Sequence, residues 1–133
     1  MTMLVDTSVL AELTRPAPNP GVAAWAKRAG EPALSVVTLE ELYRAIGATG
    51  DGDVRAWLDA FAARSRVLPV TLEIARHAGL LRAQLAAQGM RRPQADLMVA
   101  ATAAVHALTV VTRRPRDFDG CGVPVLDPWR AAP

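Results

Sequence analysis

The sequence has few of the residue types that form disulfides or zinc sites. Cys121 is the only cysteine and there are two histidines, so an internal disulfide is impossible and a Cys/His zinc site lacks ligands. Lys27 is the only lysine, and arginine therefore supplies almost all the positive charge of a chain with formal net charge +2. Because guanidinium groups bind phosphate through a planar fork of donors, nucleic acid stays among the possible partners.

Long hydrophobic runs are absent as well. No stretch approaches the ~18 apolar residues of a membrane span, and the amino terminus lacks the basic and apolar regions of a signal peptide. We expect a cytoplasmic protein in a reducing environment, with no membrane partner. Hydrophobic residues make up 51% and charged residues 21% of the 133 positions, which is typical of a globular protein, and the length favours one domain over residues 1–133.

Short apolar segments alternate with helical patterns along the chain. The apolar segments predict strands at residues 4–5, 33–36, 66–70, 108–112 and 123–126. Apolar spacings of three and four, with turn residues as boundaries, predict helices at 8–13, 21–29, 39–46, 51–65, 71–88 and 95–107. Strands that alternate with helices predict an α/β fold with a parallel sheet covered on both faces.

Several acidic residues follow the predicted strands. Ligands of parallel sheets bind beyond the carboxyl ends of the strands. Asp6 follows the first strand, and Glu41 lies in the first turn of the helix after the second. Asp96 opens the helix that returns to the fourth strand, and Asp117 lies in the loop after that strand. We expect these four carboxylates at one edge of the sheet, although Glu73 also begins a helix after a strand and topology alone leaves five candidates.

Each of the four acids also has a purely structural explanation. Asp6 stands at a possible N-cap, Asp96 at the positive end of a helix, and Asp117 in a surface loop. The spacing Thr38-x-x-Glu41 is that of a capping box. Carboxylates packed together repel one another unless a cation neutralises them, and oxygen ligands without Cys or His favour Mg²⁺ or Mn²⁺. Convergence of the four would thus make a metal pocket able to cut a phosphodiester.

Two arginine runs border the predicted acidic site and are candidates to bind RNA phosphates, with solvated surface charge as the alternative. They consist of Arg91, Arg92, Arg113, Arg114 and Arg116. The three tryptophans, at positions 25, 57 and 129, are predicted to pack against other residues rather than to stack on bases.

Four segments resemble, in order and spacing, the motifs of PIN-domain proteins. They are "MLVDTSVLAELTRP", "LSVVTLEELYRAI", "ADLMVAATAAVHALTVVTRRPRDF" and "VPVLDPW". The chain is most similar to the VapC-type ribonuclease toxins of bacterial type II toxin-antitoxin modules, essentially from end to end. The resemblance implies a three-layer PIN-like fold whose parallel sheet has the strand order 3-2-1-4-5. In that order the third strand lies at an edge, which removes Glu73 from the site.

The resemblance also implies roles for individual residues. The family's four acids, which are its catalytic residues and metal ligands, fall on Asp6, Glu41, Asp96 and Asp117. Asp6 and Asp96 would be the principal ligands of Mg²⁺, for which Mn²⁺ could substitute, while the other two would bind a second ion or hold waters.

Three further residues would support these acids, and two positions depart from the family's pattern. The supporting residues are Thr7, Ser8 and Thr112. Ser8 replaces the usual Asn of the D-T-N motif, and Arg114 stands where many relatives carry Asn. Both positions normally help to orient acids or waters near the metal.

The activity implied is that of a magnesium-dependent endoribonuclease that hydrolyses RNA through a metal-activated water. RNA substrate, a small antitoxin protein and a homodimer are the implied partners. A PIN-like module that binds RNA or an antitoxin with little or no cleavage is the alternative. A haloacid-dehalogenase-type phosphotransferase fits poorly because Ser8 stands where its second Asp is needed, and a receiver domain needs a late lysine, whereas Lys27 comes early.

Overall fold

The computed structural model describes residues 2–130, which form a sheet of five parallel strands. The strands are β1 (Met3–Val5), β2 (Ala33–Ser35), β3 (Arg66–Leu68), β4 (Thr109–Val111) and β5 (Val125–Leu126), in the order β3-β2-β1-β4-β5. The helices are α1 (Thr7–Leu13), α2 (Pro20–Arg28), α3 (Val36–Thr49), α4 (Gly52–Ala63), α5 (Leu72–Ala87) and α6 (Gln94–His106), and a short 3-10 helix spans Pro115–Phe118. The predicted α/β class, parallel sheet and strand order are confirmed.

The central strand β1 produces the three layers through the alternation of its side chains. Successive strand residues point to opposite faces. Leu4, fully buried, packs in a cluster with residues of α5 and α6, whereas Val5, also fully buried, packs with residues of α1 to α4. Val110 and Val111 of β4, paired with Leu4 and Val5, repeat this division. Burial of each such side chain contributes about 1.5–3 kcal/mol to folding.

The predicted elements all occur, with ends displaced by up to three residues. One of these displacements changes the predicted position of Glu41. β2 ends at Ser35, and α3 begins at once with Val36, so Glu41 lies in the second turn of its helix rather than the first. The Ser35 hydroxyl accepts the Val37 N–H at 3.1 Å and caps the helix. The alternative explanation of Glu41 as part of a capping box with Thr38 is therefore wrong. The buried Thr38 hydroxyl has no hydrogen-bond partner among residues 2–130.

The residues after β5, numbers 127–130, are called the C-terminal segment below, and they are fixed against the first turn of α2. A Cβ added at Gly21 would lie 2.6 Å from the Pro128 carbonyl oxygen, so only glycine allows this approach. The Asn19 side chain caps the same turn by accepting the Gly21 N–H at 2.9 Å. Trp129 packs against the apolar cluster on the α1 to α4 side of the sheet, as its predicted packing role requires.

The edge strand β3 and the helices bear on two further expectations. Glu73 begins α5 after the edge strand β3, so its exclusion from the central site holds. Within the described residues, no helix is both long enough and apolar enough to cross a bilayer. Met1 and residues 131–133 lie outside the described residues, and a single domain over 1–133 stays a prediction.

Candidate metal centre

Asp6 follows β1 directly and is held from two sides by hydroxyl groups. The Thr112 hydroxyl donates to its Oδ2 at 2.8 Å, and the Ser8 hydroxyl lies 3.5 Å from the same oxygen. Asp6 occupies the N-cap position of α1, but its side chain makes no capping hydrogen bond. Oδ1 accepts no hydrogen bond within the described part of the chain, so this oxygen is available to a ligand.

Ser8 and Thr112 are themselves anchored by the chain after β4. The Arg113 N–H donates to the Ser8 hydroxyl oxygen, and the Arg114 N–H donates to the Thr112 hydroxyl oxygen, each at 3.1 Å. The start of α1 and the chain after β4, which are 105 residues apart at Ser8 and Arg113, are thereby linked through these two hydroxyls. Serine thus still makes a hydrogen bond at the position where the family usually has asparagine.

Glu41 is positioned by the same D-T-S motif. The Thr7 hydroxyl, in the first turn of α1, donates to Glu41 Oε1 at 3.0 Å. Glu41 is half-buried whereas its neighbour Glu40 is exposed. Oε2 of Glu41 accepts no hydrogen bond from residues 2–130. Consecutive residues, Asp6 and Thr7, therefore supply one acid and orient a second.

Asp96 lies in the first turn of α6, and the pKa of its carboxyl group indicates that the other acids are nearby. Its pKa is raised from 3.8 to about 6, first by burial of the carboxyl group and then by the negative charges of Asp6, Asp117 and Glu41. Asp117 lies in the 3-10 helix after β4. The other three predicted acids therefore lie close enough to Asp96 to disfavour its negative charge, and Arg114 offsets only part of their effect.

The donor set of this cluster fits a hard cation. All four side chains offer oxygen, and none of them is Cys or His. Within residues 2–130, no group of three or more His, Cys, Asp or Glu side chains is arranged so that it could hold a metal ion. Mg²⁺ does not require such a group, because it keeps several waters and binds proteins through one or two carboxylates. The carboxylate oxygens left without hydrogen bonds at Asp6 and Glu41 are suitable ligands of that kind.

The predicted RNA-binding arginines differ in their surroundings. Arg92 is half-buried, and its guanidinium donates to the Asp119 carbonyl oxygen at 3.2 Å, so part of its donor capacity is already used. Arg113 is exposed and lies over the Trp129 ring, 5.0 Å from the ring centroid. The remaining three, Arg91, Arg114 and Arg116, are exposed.

Two charged residues beside the site were missed by the sequence prediction. Asp127 and Arg130, in the C-terminal segment, line a cavity of about 440 Å³ together with Asp117 and the arginines after β4. The available signal was the "VPVLDPW" motif, which follows the last strand of the sheet. It places these residues at the same edge as the acids, because β5 pairs in parallel with β4.

A parallel sheet in this order, with helices on both faces and acids at the carboxyl ends of its central strands, defines the PIN-like class of α/β domains. The sequence model of the PIN domain matches residues 3–119, and the chain belongs to the PIN domain family.

Its relatives within that family include bacterial toxins. VapC ribonuclease Y4jK of Sinorhizobium fredii is 33% identical over 141 residues, which cover 98% of this chain and 99% of that protein. Toxin FitB of Neisseria gonorrhoeae is 32% identical over 136 residues, with 96% and 98% of the two chains covered.

Solved structures agree with these sequence matches. The crystal structure of FitAcB from Neisseria gonorrhoeae superposes with a TM-score of 0.84 at 31% identity and covers 97% of this chain and 99% of that one. DNA-bound VapBC from Salmonella typhimurium gives a TM-score of 0.80 at 27% identity, with 97% and 98% covered. The predicted similarity to VapC-type toxins is confirmed.

Proposed function

We propose that the protein is a magnesium-dependent endoribonuclease and the toxin of a type II toxin-antitoxin pair. Asp6, Glu41, Asp96 and Asp117 would hold the metal, and RNA would be cut at a phosphodiester bond. The observation that carries the proposal is the set of hydroxyl groups that hold Asp6 and Glu41, with Asp6, Glu41 and Asp117 close enough to Asp96 to raise the pKa of its carboxyl group. A cation among these carboxylates would remove the repulsion between them. Relatives named VapC ribonuclease and toxin FitB add support.

The chain's own contribution would be to position the acids and the substrate. Thr112 and Ser8 hold one oxygen of Asp6, and Thr7 holds one oxygen of Glu41, so each carboxylate presents its other oxygen in a fixed orientation. Mg²⁺, when bound, supplies an activated water at neutral pH and neutralises charge on the phosphate. No protein nucleophile is required, and the products expected are a 5′-phosphate and a 3′-hydroxyl.

The test is cleavage of RNA by the purified protein with and without EDTA. Asp96→Asn should lower the rate by about 100-fold or more, because it removes a ligand from a site whose metal is worth several kcal/mol to the transition state. Asp53→Asn is the matched control, since Asp53 lies in the first turn of α4 and is exposed. Cleavage in excess EDTA, or an Asp96→Asn variant as active as the control, would refute the proposal.

Binding without cleavage is the second candidate, and Arg114 is the observation that favours it. Its positive charge lies close enough to the acids to lower the pKa of Asp96, in opposition to the larger effects of burial and the three acids. A guanidinium there neutralises part of the charge that would otherwise attract a metal. Stoichiometric Mn²⁺ binding without turnover on any RNA would support this function over the nuclease.

An antitoxin partner, a homodimer and a cytoplasmic location belong to the same proposal. The antitoxin has support from the similarity to the FitAcB structure and to VapBC. Analytical ultracentrifugation of the purified chain tests the homodimer, with a monomer mass at micromolar concentration as the contrary result. Growth arrest on induction, relieved by Asp6→Ala, tests toxicity.

A further inference from the structure

A basic cavity lies beside the acidic cluster, between the 3-10 helix after β4 and the C-terminal segment. Its volume is about 440 Å³, which is within the range of ligand-binding pockets. Asp117 lines this cavity and also raises the pKa of Asp96. The cavity and the proposed metal centre therefore share a wall.

The charges around the cavity leave an excess of positive charge. The charged lining residues are Arg113, Arg114, Arg116, Arg130, Asp117 and Asp127. Asp127 is already engaged, since its Oδ1 accepts the Trp129 N–H at 2.9 Å and its Oδ2 lies 3.8 Å from Arg130 Nε. Among residues 2–130, the other three arginines form no ion pair within 4 Å.

One acid on α1, Glu12, attracts Arg113 of the cavity wall but forms its ion pair with Arg15. The pKa of Glu12 is lowered, chiefly by the hydrogen bond from the Asn19 N–H. Burial of the carboxyl group opposes this effect, and the charges of Arg15 and Arg113 add to it. The Glu12 carboxylate is held by both Arg15 and the Asn19 N–H, with contacts of 2.8 to 3.1 Å. The guanidinium of Arg113 lies over Trp129 instead.

The walls of the cavity are fixed by the fold. On one side, the Arg113 and Arg114 amides donate to Ser8 and Thr112. On the other, the C-terminal segment is held by the close approach of Pro128 to Gly21. Stacking over an aromatic ring orients a guanidinium and leaves its N–H edges able to donate. The backbone of both walls and the guanidinium of Arg113 are thus held in place.

We propose that this cavity binds one backbone phosphate of single-stranded RNA, adjacent to the phosphodiester at the metal centre. The inference rests on the proposed function, because it names how that site holds its substrate. Arginine forks match the two free oxygens of a phosphodiester. Arg116 and Arg130 contact the phosphate from opposite walls, and the C-terminal segment is thereby part of the substrate site.

The test is the salt dependence of RNA binding in EDTA, where no metal-dependent cleavage occurs. Fluorescence anisotropy with a short single-stranded RNA compares wild type with the double variant Arg116→Ala/Arg130→Ala. Both residues are exposed, so the substitutions should leave folding intact. We expect about 10-fold weaker binding, and a log–log salt slope reduced by about 0.7, the value for one phosphate contact on a single strand.

The matched control is Arg82→Ala, an exposed arginine on α5, which should leave both quantities unchanged. An unchanged slope in the double variant would overturn the subsite, and so would an equal loss in the control. A slope reduced by about 1.4 would mean two phosphates and would overturn the single subsite. RNAs with a 5′-phosphate or a 5′-hydroxyl should bind equally, because the proposed ligand is an internal phosphate; a preference for the phosphorylated end would overturn that assignment.

The outcome is independent of the nuclease assay. A reduced salt slope in the double variant, together with no RNA cleavage by wild type, would support the phosphate subsite and refute the nuclease. Cleavage by wild type with an unchanged slope in the double variant would do the reverse.

Discussion

Replacing Asp96 by Asn should stabilise the metal-free protein at neutral pH. Burial first, and then Asp6, Asp117 and Glu41, raise the pKa of the Asp96 carboxyl from 3.8 to about 6. The folded chain therefore binds this proton more tightly than the unfolded chain does. The favourable contribution of the protonated form is complete below about pH 4 and is lost as the pH rises to about 6 and above. Asparagine is neutral, so at pH 7.5 it avoids the cost of a partly buried negative charge beside three other acids.

The expected gain is about 1 kcal/mol. A shift of about two pKa units corresponds to ~3 kcal/mol. Since the side chain is only partly buried, solvent screening reduces this to roughly 1.5–2 kcal/mol. The negative charge in the first turn of α6 interacts favourably with the helix dipole, and its loss costs about 0.3–1 kcal/mol.

Urea unfolding in EDTA at pH 7.5 and pH 4 measures the effect. Asp96→Asn should be more stable than wild type at pH 7.5, and this difference should disappear at pH 4. Asp53→Asn, exposed in the first turn of α4, should lose a few tenths of a kcal/mol through the dipole alone. A loss of stability in Asp96→Asn at pH 7.5 equal to that of the control would refute the reasoning. Mg²⁺ should then stabilise wild type more than Asp96→Asn, because binding to the folded state adds to its stability.

Two further substitutions test the scaffold of the site. Thr112→Val removes a fully buried hydroxyl that donates to Asp6, so it should lower the free energy of unfolding by about 1–3 kcal/mol and weaken Mn²⁺ binding. The control is Thr102→Val, because the Thr102 hydroxyl is equally buried but is bonded within its own helix; this variant should bind Mn²⁺ as wild type does in a titration. Equal weakening of Mn²⁺ binding in both variants would contradict a positioning role for Thr112. Gly21→Ala should destabilise the protein by about 1–3 kcal/mol in urea unfolding, because the Pro128 backbone would have to move. Gly79→Ala, in open space on α5, should stabilise it by about 0.5–1 kcal/mol. A Gly21→Ala variant as stable as wild type would refute the close approach of Pro128 to Gly21.

The sequence predicted the elements better than it predicted how they join. Periodicity alone gave alternating strands and helices, and the resemblance to PIN domains was needed for the strand order. The start of α3 shows why local pattern was insufficient. Val36 and Val37 are β-branched and favour a strand, yet the chain becomes helical directly after Ser35, whose hydroxyl caps the helix. Tertiary packing overrode propensity there, and the helix begins too early for Thr38 to be its N-cap.

The contacts that orient the acids could not be read from local sequence. Thr7 and Glu41 are 34 residues apart, and Thr112 and Asp6 are 106 apart. Such pairs form only after the parallel strands have brought their carboxyl ends together. The same holds for Arg130, which reaches the cavity only because β5 pairs with β4.

The hydroxyl groups at the site have a consequence for the choice of cation. Each of them donates to one oxygen of a carboxylate, so the oxygen of Asp6 and of Glu41 that accepts no hydrogen bond within residues 2–130 is the one more readily offered to a metal. Ca²⁺ is bound by six to eight oxygens and commonly takes both oxygens of a carboxylate, whereas Mg²⁺ accepts single oxygens and retains its waters. The threonines of this site would thus favour a cation that takes a single oxygen from each carboxylate, without touching the cation themselves.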